Sequence, residues 1–88
     1  MIRPAKLKWQ CRRGLRELDL ILEGFLESGY GALPSRDQAG FERLLGQSND
    51  DLFAWLVGDA VPPDQEFAHI VKKVRATALS RRHPAPTR

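Results

Sequence analysis

Leu15-Arg16-Glu17-Leu18-Asp19-Leu20-Ile21-Leu22-Glu23-Gly24-Phe25-Leu26-Glu27-Ser28 is the stretch that decides the fold. Leu15, Leu18, Leu22, Phe25 and Leu26 recur at spacings of three and four, which is the period of one face of an α-helix. Leu20 and Ile21 widen the stripe, so the pattern predicts the central and most buried helix of the molecule. Gly29 and Gly31, on either side of Tyr30, are expected to end it.

Downstream the same period returns three times. Pro34-Ser35-Arg36-Asp37-Gln38 restarts a helix, and Ser35 with Gln38 has the form of a capping box, in which each side chain satisfies a backbone amide near the other. Phe41, Leu44 and Leu45 mark the apolar face of that helix, and Gly46 stops it. Ser48 or Asn49 caps the next one, with Asp50 and Asp51 placed at the positive end of its dipole. Its Leu52, Phe53, Trp55, Leu56 and Val57 run to Gly58 and the Pro62-Pro63 pair. Asp64 is the expected cap of a last helix, which carries Phe67, Ile70, Val71, Val74 and Ala78 on one face. Upstream, residues 5–12 form a short first helix bearing Leu7, Trp9 and Cys11, and Gly14 breaks the chain between the first two helices. No segment alternates with the period of two that a half-buried strand requires. The fold class is therefore all-α: a small single-domain bundle of about five short helices over residues 1–80. Arg81 to Arg88, with two prolines and no large apolar residue, is expected to be a disordered basic tail.

Eighty-eight residues make one small domain, and a chain of this length buries roughly 60–65% of the surface its unfolded form exposes. That supports a core but leaves little room for a deep catalytic pocket. Cys11 is the only cysteine, so no internal disulfide forms. One cysteine and two histidines do not supply a usual metal set. No apolar run approaches the 18 residues of a membrane span. The net charge of +3 hides segregation. Residues 1–16 hold six bases and no acid, residues 72–88 hold six bases and no acid, and the middle holds all eleven acids against Arg36 and Arg43. Basic ends of this kind suit an anionic partner, or fold back on the acidic middle.

No arrangement of residues points to catalysis. His69 and His83 are linked by no motif to Cys11 or to a serine, and the Asp50-Asp51 pair reads as a helix start rather than an acid/base dyad. Phosphate-binding and metalloprotease motifs are absent. Lys6, Lys8, Arg12 and Arg13 around Trp9 mix bases with an aromatic, as nucleic-acid binders do, but the acidic middle weakens that reading. Trp9 packs on the core in the bland alternative. Arg13-Gly14-x-x-Glu17 reads either as a helix break with a local ion pair worth about 0.3 kcal/mol, or as a recognition patch. In the second case Gly14 admits a partner closely, while Arg13 and Glu17 supply directional hydrogen bonds.

Two blocks carry a family resemblance. Trp9-x-Cys11-Arg12-Arg13-Gly14-x-Arg16-Glu17-Leu18-Asp19 resembles the opening of the SdhE/YgfY family of succinate dehydrogenase flavinylation (FAD) assembly factors. Phe41-x-Arg43-Leu44-Leu45, followed by Asp50-Asp51-Leu52-Phe53-x-Trp55-Leu56, resembles its middle. The resemblance covers about residues 7–75 and implies a helical bundle that is not an enzyme. It implies a chaperone-like partner of the flavoprotein subunit of succinate dehydrogenase, and in some bacteria of fumarate reductase, that promotes covalent attachment of FAD to that subunit. By position it implies a partner-binding surface of Arg13, Gly14 and Glu17, with Trp9, Arg12, Arg16 and Asp19 as neighbours; Phe53 and Trp55, as aromatics at helical spacing, are expected in the core. No cofactor is then held stably by this chain, since the FAD is carried by the flavoprotein. A bacterial, cytoplasmic monomer that does not insert into membranes is expected. The alternative is a small helical nucleic-acid-binding or antitoxin-type regulatory protein.

Overall fold

Gly14, with a backbone φ of +80°, is the hinge between the first two helices and the only left-handed position among the described residues. The computed structural model describes residues 4–82. Within them lie α1 (Pro4–Gln10), α2 (Arg16–Ser28), a 3-10 turn (Tyr30–Ala32), α3 (Ser35–Leu44), α4 (Asn49–Leu56) and α5 (Gln65–Arg82), with no strand. This is the all-α bundle that the apolar periodicity implied. No helix among the described residues is long and apolar enough to cross a membrane. α5 continues through Arg82, two residues into the stretch expected to be tail, and the remainder of that stretch lies outside the described residues.

α2 and α5 form the most extensive packing among the described residues, with α3 and α4 also laid on α5 and α1 on α2. Leu18 and Leu22 of α2, Phe41 and Leu44 of α3, Leu52 of α4 and Ile70 and Val74 of α5 are fully shut off from solvent. Phe41 sits among rings, 5.2 Å from Phe25 and 5.5 Å from Tyr30 between centroids. α3 and α5 approach closely at Gly40, where a Cβ would stand 3.1 Å from Ile70 Cγ1. Gly29 is small for the same kind of reason: a Cβ there would lie 2.6 Å from Phe25 Cε1, and its φ of −126° is one that any residue adopts.

Two caps follow the sequence. Ser48 accepts the Asp51 amide at 3.1 Å, and Asp64 Oδ1 accepts the Glu66 and Phe67 amides at 2.8 and 3.2 Å. The Ser35–Gln38 capping box does not form. Leu33 and Pro34 are both extended, as the residue before a proline prefers, and Pro34 rather than Ser35 occupies the N-cap. Gln38 is thereby moved one position too far along the helix, and its amide donates to the Tyr30 carbonyl at 3.1 Å.

Three apolar residues expected inside are outside, the first being Leu15, which is the N-cap of α2 and 37% exposed. Leu20 is 62% exposed and Phe53 41% exposed. Leu20 lies about 200° around α2 from Leu18, and Phe53 about 200° around α4 from Trp55, so each points away from the face its neighbours bury. Trp55, by contrast, is buried as expected.

Candidate functional site

The Arg13-Gly14 turn is held from two directions. Asp19, on the first turn of α2, accepts the Arg13 amide on Oδ1 at 2.7 Å and the Gly14 amide on Oδ2 at 3.2 Å. One carboxylate thus gathers two amides that no helix satisfies, near the positive end of α2, where a negative charge is favoured. The N-cap residue of α2, Leu15, has no side-chain bond to offer, so Asp19 is what fixes the approach to the helix. From the other side, the Arg13 guanidinium reaches across the molecule and donates through Nη2 to the carbonyl of Leu45, at the C-terminal end of α3. A cation there also meets the negative end of the α3 dipole. Arg13 Nε is closed off from solvent and has no hydrogen-bond partner, consistent with a side chain laid inward.

These contacts divide the sequence-predicted residues. Arg13 and Asp19 are half-buried and spent on the turn itself. Arg12 extends its guanidinium to Glu23, Nε to Oε2 at 3.5 Å, with most of its side chain in solvent. Gly14, Arg16 and Glu17 are exposed, and Trp9 is 77% exposed rather than packed on the core. A Cβ at Gly14 would meet nothing within 4 Å, so the space above the turn is open. Arg16 and Glu17 share a face of α2 with Leu20, four and three residues on. Around a turn fixed from beneath, the exposed residues thus include Trp9, Arg12, Gly14, Arg16, Glu17 and Leu20. Leu20 was missed because its apolar character counted it into the core.

Cys11 lies directly under the turn and is fully buried. Burial pushes its thiol up to about 12, the Glu23 and Asp19 carboxylates add to the rise, and Arg13 opposes it. A thiol so placed is a core residue and not a nucleophile. Tyr30 is likewise pushed up to about 12, by burial first and then by its hydroxyl donating to Glu42 Oε2 at 2.6 Å. Both groups have raised folded-state values, so their contribution to stability is complete below pH 9 and is lost as the pH rises toward 12. Native protein should therefore resist alkylation by iodoacetamide at pH 8 and react once unfolded in urea. The urea midpoint should fall above pH 9, with a smaller fall in Cys11→Ala. Rapid alkylation of the native state would contradict the burial.

One polar pair lies away from the turn. Asp37, in the first turn of α3 and buried, meets His69 Nε2 of α5 at 3.2 Å across 32 residues of sequence. His69 is thus the partner of a buried acid and an element of the α3–α5 packing. No group of three or more potential metal ligands occurs among the described residues.

This fold is a small helical bundle in which an open turn between α1 and α2 is pinned by Asp19 and Arg13 beside the first turn of α2. The chain belongs to the family described as flavinator of succinate dehydrogenase, whose model matches residues 5–78. It is 42% identical over 74 residues to the FAD assembly factor SdhE of Shewanella oneidensis, across 84% of this chain and 90% of that protein. It is 39% identical over 70 residues to the protein of the same name from Coxiella burnetii, across 80% of this chain and 85% of that one. The protein of that name from Yersinia pestis is 38% identical over 77 residues, 88% of each chain. These relatives are named for assembly and not for catalysis, and none of the three is named as a nucleic-acid binder or an antitoxin. The family is the one that the two sequence blocks resemble.

Proposed function

We propose that this chain is an assembly factor that binds the flavoprotein subunit of succinate dehydrogenase before its flavin is attached and promotes the covalent attachment of FAD. The single observation that carries the reading is a family match over nearly the whole described chain, with the Arg13-Gly14-x-x-Glu17 turn built as an open, pinned surface. On this reading Trp9, Gly14, Arg16 and Glu17 meet the partner, while Arg12, Arg13 and Asp19 hold the turn that presents them. A factor of this kind needs no catalytic group. It raises the rate by holding the partner's flavin site in the geometry in which the bond forms, and binding the competent conformation more tightly shifts its population. FAD belongs to the partner and is not a resident cofactor here. The fumarate reductase flavoprotein is a second candidate partner, and a monomer in the bacterial cytoplasm is the working state.

The test is the yield of covalent flavin, read by in-gel fluorescence of the cognate flavoprotein, with the chain present, absent or carrying Glu17→Ala. The wild type should raise the yield several-fold and Glu17→Ala should lose most of that rise. No rise with the wild type, on a flavoprotein shown to be folded, would overturn the reading.

A further inference from the structure

Trp9 to Asp19 is only eleven residues, and Cys11 and Leu18 among them are buried. A standard interface uses roughly 20–30 residues a side, so a stable complex must recruit surface beyond the turn. The face formed by α5 and the α4–α5 connection supplies it. Val61 is 77% exposed and, with Ala60, Pro62, Ala68 and Val71, lines a hollow that also includes Lys72 and Arg75. The same two bases line a second hollow with Ile21, Leu56 and Val57. Ile21 stands one helical turn from Glu17 on α2, so this second hollow adjoins the surface of the turn. Apolar floor lies on both sides of two cations, and the whole is continuous with the proposed partner surface.

The charge selects the occupant. Lys72 and Arg75 are exposed, and the ion pairs Arg12–Glu23, Arg43–Glu66 and His69–Asp37 involve neither of them. Arg75 makes one long bond, Nη1 to the Trp55 carbonyl at 3.4 Å. The segments of this chain outside the described residues, 1–3 and 83–88, carry Arg3, His83 and Arg88 and no acid, which is the wrong sign for this face. A symmetric pairing of two copies through it would set bases against bases.

We infer that the α4–α5 face is a second docking surface for the flavoprotein. It takes an acidic segment of that partner, whose apolar side chains enter the two hollows while its carboxylates meet Lys72 and Arg75. The inference rests on the flavoprotein reading above.

Binding of labelled chain to the cognate apo-flavoprotein, by fluorescence anisotropy, tests it. Lys72→Glu/Arg75→Glu should weaken binding about tenfold or more, with a larger loss at low salt than at high. Val61→Asp should weaken it similarly. Both changes lie at exposed positions, so the thermal midpoint should move by no more than a few degrees. A carbodiimide should couple Lys72 Nζ to a partner carboxylate, identifiable by mass spectrometry. Wild-type affinity in the double variant, where Glu17→Ala has lost it, overturns the second surface and leaves the assembly-factor reading intact. No binding by the wild type overturns both. If sedimentation shows the double variant losing a self-association while its flavoprotein affinity is unchanged, the face joins copies of this chain and the inference fails.

Discussion

Phe41→Ala is expected to remove about 3–5 kcal/mol of folding stability. The ring is fully buried and lies between Phe25 and Tyr30, so it joins α2, the 3-10 turn and α3 in one contact. The loss combines the transfer of an aromatic side chain back to water with the cavity left among atoms that do not collapse onto it. A domain of this length has a total stability of about 4–13 kcal/mol, so the loss is about a quarter of that at the least and exceeds it at the low end of the range. Urea melts followed by far-UV circular dichroism give the number directly. A loss below about 1 kcal/mol would mean that the ring is not the centre of the core. The same variant would lose flavin-attachment activity through unfolding alone, which is why the loop variants must be read beside a stability measurement.

The helices were legible in the sequence because burial on one face of a helix leaves a period, and α2 through α5 each carry it. The caps at Ser48 and Asp64 were legible because a cap is a local bond spanning two or three residues. The period also places Leu20 and Phe53 opposite Leu18 and Trp55, and only their apolar character counted them into the core, whereas both are exposed. What it does not carry is the partners of polar side chains across the fold. Arg13 reaches Leu45 and Asp37 reaches His69, each over 32 residues. The motif around Gly14 could be recognised as a unit from its residue types. That its arginine and its following aspartate face inward, while Arg16 and Glu17 face out, depends on where the C-terminal end of α3 comes to lie. The proline that displaced the expected cap at Ser35 is a case where a local rule was present in the sequence and a stronger local rule overrode it.

Gly14→Arg should abolish the rise in covalent flavin while leaving the helical bundle folded. Two effects separate at this residue. A side chain of any kind must adopt φ near +80°, which costs an L-residue about 1–2 kcal/mol. That strain falls on a turn gripped by Asp19 and Arg13, and it is too small to unfold the domain by itself. The second effect is steric. Nothing in this chain lies within 4 Å of a Cβ at Gly14, so a long side chain would project into the open space where a partner's surface must come. Gly14→Ala carries the first effect and almost none of the second, so the pair resolves them. If alanine keeps most of the flavin yield and arginine loses it, at similar thermal midpoints, the partner approaches the turn closely and excludes a side chain. If both lose it equally, the backbone conformation of the turn is what the partner reads. Unfolding of Gly14→Arg, seen as lost ellipticity at 222 nm, would show that the glycine serves the fold and would remove Gly14 from the proposed interface.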